Sequence, residues 1–184
     1  SPTYATTTKA FGNVRTGDSV SSQAINFANT TITNASYQDS LDVSGSKTNS
    51  KITLGSGFNV AAGNNANLSV SANTATAGNL ADTITLSLTS NANSVSGLSN
   101  SSITPTGTIA VTGGVYDYAQ AKFDGTTIDF GNVHQGASVT AQSVAIGNKT
   151  ITNASFQDKL DVSGTSDNNS ITVTGFTGLG ASTN

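Results

Sequence analysis

The sequence predicts an all-β protein built from antiparallel β-sandwiches, and three observations carry that reading. Strand-favouring Thr, Val, Ile and aromatic residues are plentiful, whereas Glu is absent, and six Lys and one Arg are too few to build amphipathic helix surfaces. Apolar residues alternate with Ser, Thr and Asn at a period of two, and clusters of Gly and Asn separate the alternating runs. No segment carries helical periodicity.

Taken in order, Phe11 to Val14 opens the first unit, with Gly12 a bend or bulge, and Ile25 and Phe27 alternate with polar neighbours in the next strand. Tyr37, Leu41 and Val43 continue the pattern, followed by Ile52 and Leu54. Phe58 and Val60 lead into a Gly- and Asn-rich turn at 61–65. Leu68, Val70 and Ala72 alternate with Ser and Asn, and beyond a turn at Gly78 and Asn79 so do Ile84, Leu86 and Leu88. Ile109 and Val111 close the unit. Short strands in this number, roughly seven or eight, joined by tight turns, pack as a sandwich with one polar face per sheet.

An internal repeat sets the domain organisation. Phe11-Gly-Asn-Val-Arg-Thr-Gly17 recurs as Phe130-Gly-Asn-Val-His-Gln-Gly136, an offset of 119 residues, and 25 of the 43 positions from 11 to 53 are identical to their partners at that offset. Such a unit is too long for a solenoid repeat and near the usual size of a domain. The predicted division is a complete sandwich at 1–114 with its core repeat at 8–112, a short linker at 115–126, and the first half of a second sandwich at 127–184. Tyr116, Tyr118 and Phe123 make the linker a packed joint rather than a tether. Tyr4-Ala5 and Lys9 resemble Tyr118-Ala119 and Lys122, so the chain reads as a processed piece of an array of such units.

The Phe-Gly-Asn-Val-x-x-Gly opening, the segment from Gly57 to Val70 and the segment from Thr76 to Leu88 resemble the bacterial choice-of-anchor D modules. The resemblance covers 8–112 and again 127–180. It implies an immunoglobulin-like fold related to ASH and PapD-like sandwiches, tandem arrangement in large secreted or surface-attached proteins, and a spacer or matrix role without catalytic residues. Two departures stand out: Ala61, and Ala75 or Ala77, occupy positions where such modules often carry proline, and the anchoring tail of the family is not in the sequence.

Composition argues against several function classes. Ser, Thr and Asn make up 75 of the 184 residues, charged residues only 9%, and the net charge is −3. Basic residues scattered singly form no stripe to neutralise phosphates, so no nucleic-acid partner is expected. No apolar run approaches the eighteen or so residues of a membrane span. Absence of Cys favours a bacterial origin for an extracellular protein. His134 is the single histidine, without partners of a catalytic or metal-binding kind, and is read as a solvated strand end. Asp39 and Asp42 recur as Asp158 and Asp161 in Gln-Asp-x-Leu-Asp-Val-Ser-Gly, which raises Ca²⁺ as a candidate ligand against the simpler expectation that these side chains bind turn backbone. Thr-x-Thr pairs lie on separate strands of a twisted sandwich and make no flat ice-binding array.

Half a sandwich bares on the order of several hundred Å² of apolar surface, which at roughly 25 cal/mol per Å² rivals the whole stability of a small domain. The second repeat is therefore expected to need strands from a neighbouring molecule or further sequence. Head-to-tail completion between identical chains does not close and propagates a filament. The interaction residues expected on its bare faces are Phe130, Val133, Val144, Ile146, Phe156, Leu160, Val162, Ile171, Val173 and Phe176. The function expected is a non-enzymatic structural protein of a bacterial fibre, surface layer or matrix, without cofactor. The rival expectation is an adhesin or carbohydrate-binding module.

Overall fold

The computed structural model describes residues 2–5, 7–93, 95, 97–104, 107–123, 125 and 127–182. The chain separates into two compact units, Ser1–Val115 and Tyr116–Asn184. Among the described residues strand is the main regular element of both, and helix is confined to two single 3-10 turns, Ala35–Tyr37 and Ala154–Phe156.

The first unit contains β1 (Pro2–Tyr4), β2 (Lys9–Arg15), β3 (Gln23–Asn29), β4 (Ser40–Ser46), β5 (Ile52–Leu54), β6 (Phe58–Val60), β7 (Asn65–Ala72), β8 (Gly78–Asn79), β9 (Asp82–Asn91), β10 (Ser101–Ser102) and β11 (Thr108–Tyr116). One sheet has the order β1-β3-β7-β5 and the other β2-β11-β9-β4-β6, with β8 added to β11 and β10 to β9. The pairs whose register is defined are antiparallel, such as Ile25 opposite Leu68 and Val43 opposite Leu88. Alternation decides what faces inward: Ile25 and Phe27 from β3 and Leu68 and Val70 from β7 meet Leu41, Val43, Ile84 and Leu86 from the other sheet in one continuous core. The intervening residues of β9, Thr83, Thr85 and Ser87, face solvent. This is a β-sandwich, as the sequence predicts, with Ile25, Phe27, Ile52, Leu68, Ile84 and Ile109 fully buried.

The second unit contains β12 (Ala121–Phe123), β13 (Ile146–Asn148), β14 (Leu160–Val162) and β15 (Phe176–Leu179), paired antiparallel as β12-β13 and β14-β15. Residues 127–145 form no strand and 127–143 are exposed throughout.

Three local expectations are corrected. Tyr37 does not continue the strand alternation. It ends a 3-10 turn that begins where the Asn34 side chain accepts from the Ser36 N–H at 2.9 Å, and its ring is 92% exposed. Residues 121–123, within the predicted linker, form β12. Finally, the ladders match β12 to β1: Ala121 lies opposite Asn148 and Phe123 opposite Ile146, as Pro2 lies opposite Asn29 and Tyr4 opposite Phe27. The counterpart of Tyr4 is therefore Phe123 at the repeat offset, and Tyr118 has a different place.

Candidate functional site: strand residues of the second unit

The length of each strand in the second unit equals the stretch covered by the partner it retains. β3 runs over Gln23–Asn29 because β7 pairs with 23–28 and β1 with 27–29. Its repeat at 142–148 is a strand only at 146–148, where β12 lies beside it. Likewise β4 runs over Ser40–Ser46 beside β9, with β6 opposite 41–43 on its other edge. Its repeat is a strand only over 160–162, opposite β15. Counterparts of β7, β9 and β11 do not occur among the described residues of the second unit. A backbone without a ladder partner gains nothing from the extended conformation, so near-identical sequences are strand in one unit and irregular in the other.

The residues predicted to interact follow the same division. Phe130, Val133, Ile171, Val173 and Phe176 are exposed, whereas Val144, Ile146, Phe156, Leu160 and Val162 are half-buried. Ile171 is 41% exposed and its first-unit counterpart Ile52 0%. Val133 is 57% exposed, while Val14 packs against the core. Phe156 has an aromatic neighbour: the Tyr116 ring lies 5.5 Å away between centroids. The β14-β15 pair contains an irregularity, since Leu160 faces Leu179 and Val162 faces Phe176, and Gly178 takes up the extra residue at φ +75°.

One polar cluster recurs in both units and was not foreseen. Asn29 is buried, its amide donates to the carbonyls of Asp39 (3.0 Å) and Val60 (3.1 Å), and its oxygen accepts from Gln38 (2.9 Å). Asn148 makes the same bonds to Asp158 (2.9 Å), Leu179 (3.1 Å) and Gln157 (2.9 Å). The side-chain oxygens of Gln38 and Gln157 in turn accept from the N–H of Ile32 and Ile151, each at 2.9 Å. The identity of Asn and Gln at the offset of 119 is the signal that marks this cluster in the sequence, since a buried polar residue persists only with its partners.

The four aspartates considered for Ca²⁺ make different hydrogen bonds. Asp39 accepts from the Ser90 hydroxyl (2.7 Å), and Asp42 from the side-chain amides of Asn59 and Asn91 (2.7 Å each). Asp161 accepts from the Gly178 N–H, and the Asp158 N–H donates to the Asp117 carbonyl. Among the described residues no three His, Asp or Glu side chains converge on one point. His134 is exposed, in a turn closed by the Ala137 N–H donating to its carbonyl, the bond that Asp18 and Arg15 make in the first unit.

Asp82 is a heavily bonded carboxylate. It accepts from the Asn49 N–H (2.9 Å), the Thr48 hydroxyl (2.8 Å) and N–H, and the Thr83 N–H (2.8 Å). Burial pushes its pKa up, but these hydrogen bonds outweigh that and hold it below the ordinary value of 3.8.

Fold and site together define an all-β chain whose first unit is a two-sheet sandwich and whose second presents strand-forming residues to solvent. No family model and no curated protein matches the chain. No helix among the described residues is long and apolar enough to cross a membrane.

Proposed function

We propose that the chain is a non-enzymatic structural protein of a bacterial extracellular fibre, surface layer or matrix, joined by β-strand complementation between repeat units. One observation carries the proposal: Phe130, Val133, Ile171 and Val173 are exposed, while the first-unit residues at the same repeat positions are packed by strands of the β7, β9 and β11 type. Supplying such strands from a neighbouring unit buries these side chains and pairs the backbone of 127–145. Donor and acceptor are different surfaces, so addition repeats without closing. The resemblance to choice-of-anchor D modules and a polar surface with few charges support a spacer or matrix role.

The test is backbone amide exchange of residues 127–145 and 171–176 across a concentration series, with negative-stain microscopy of the same samples. Protection that rises with concentration, together with thin filaments, is the expected result. A monodisperse monomer at the highest concentration, with those amides still unprotected, overturns it.

A further inference from the structure

The two copies of the Asn-Gln cluster share their hydrogen bonds and differ in what covers them. In the second unit the segment Tyr116–Gln120 lies over the cluster. The Asp117 N–H donates to the Phe156 carbonyl and the Asp158 N–H to the Asp117 carbonyl, both at 2.9 Å, and Asp117 and Gln157 form a parallel bridge. The Gln120 N–H donates to the Asn148 side-chain oxygen (2.9 Å), and the Lys149 N–H to the Gln120 carbonyl (2.8 Å). Tyr116 stacks obliquely on Phe156. Under this cover Gln157 is buried at 7% exposure and Phe156 is half-buried.

At the repeat offset Tyr116–Gln120 corresponds to the position of Ser1 and positions before it, and the described residues of the first unit leave the same surface exposed. Tyr37, in the place of Phe156, is 92% exposed, Ile32 is 72% exposed against 51% for Ile151, and Gln38 is only half-buried. Ile32, Asn34, Tyr37 and Gln38 line a shallow depression there, and a second depression runs from Tyr37 to Pro2, Leu41 and Ile103. The adjoining β1 sits on β3 in the register that β12 takes on β13, so the edge that continues Tyr116–Gln120 into β12 is reproduced.

We propose that the Ile32–Tyr37–Gln38 surface is a docking site for a segment of the Tyr116–Gln120 type from another copy of the repeat. The segment lies in parallel beside Gln38. Its Asp N–H donates to the Tyr37 carbonyl, its Asp carbonyl accepts from the Asp39 N–H, and its leading Tyr stacks on Tyr37. The occupant is identified by the chain itself, since the second unit holds this segment on the equivalent residues with defined bonds. An aromatic ring with one face covered loses exposed apolar area, and the two backbone bonds fix register. The inference rests on the internal repeat and not on completion of the second unit by other strands.

The test uses the full chain with a duplicate of Tyr116–Gln120 placed directly before Pro2, so that the segment is held at high effective concentration over the site. The Asp39 amide is expected to exchange about tenfold more slowly than in the parent chain, as for gain of one backbone hydrogen bond. Nuclear Overhauser contacts are expected between the Tyr37 ring and the leading tyrosine of the duplicate. Both effects are lost with Tyr37→Ser, a change at an exposed ring that leaves folding intact. No change at Asp39 in the extended chain overturns the proposal, as does protection that survives Tyr37→Ser. Specific binding of a glycan at Tyr37 that the duplicate fails to displace overturns it in favour of a sugar site. Failure here leaves amide exchange at 127–145 unaffected, so the two proposals fail separately.

Discussion

Asn29 contributes to the first unit through what its removal leaves behind. Its side chain, itself buried, satisfies the carbonyls of Asp39 and Val60 and holds the half-buried Gln38 amide. Asn29→Ala strands these groups, and a loss of about 2–3 kcal/mol is expected from urea unfolding followed at the first unit. Asp82 acts through pH. Its carboxyl is more acidic folded than unfolded, so its contribution is present above the unfolded pKa near 3.8 and disappears as pH falls through the lower folded value. Stability measured from pH 6 down to pH 2 is expected to fall less steeply in Asp82→Asn than in the parent, and equal slopes would falsify that role. Of these residues, the sequence marks Asn29 by its repetition at Asn148, whereas Asp82 has no such mark. Its partners Thr48 and Asn49 lie more than thirty positions away, and only the packing of β9 beside β4 brings them together.

Among elements, β5 and its repeat offer the sharpest comparison. Ile52 is fully buried beside β7, while Ile171 stands at the equivalent position with no strand alongside. Ile52→Ala is expected to cost about 2–4 kcal/mol, the usual result of emptying a packed core site. Ile171→Ala in the monomeric chain is expected to stay within about 0.5 kcal/mol, as for surface changes. Under the proposed strand complementation the same Ile171→Ala is expected to weaken association, measured as a higher concentration for the onset of filaments. The period-two alternation predicts β3, β7 and β9 correctly because their inward residues are separated by single polar ones. It misreads Tyr37, where an apolar residue at a suitable interval belongs to a capped 3-10 turn.

At the level of the whole chain, the two units differ in how much of their backbone is held. Amides of β3, β7 and β9 lie in two-sided ladders around a closed core and are expected to exchange only through global unfolding. Those of residues 127–145 are expected to exchange at rates near those of an unfolded chain in the dilute monomer. A protease of broad specificity should cut first within 127–145 and leave the first unit intact. Early cleavage in 65–91 instead would contradict the sandwich.

What the sequence determined by itself is local, and it came out the same in both units. Asn34 and Asn153 each accept from the amide two residues on, Asn29 and Asn148 each hold a Gln, and Gly17 and Gly136 adopt φ of +87° and +81° in matching turns. These features need residues within about a dozen positions of one another, and such short loops close at little entropic cost. Strand or no strand at the repeated positions was decided only by the tertiary structure. Phe11 to Val14 lies in β2 beside β11, and the same four residue types at Phe130 to Val133 are irregular and exposed. An extended backbone is stabilised by hydrogen bonds and side-chain contacts from a neighbouring strand, so identical residues take different states according to which partner strands are present.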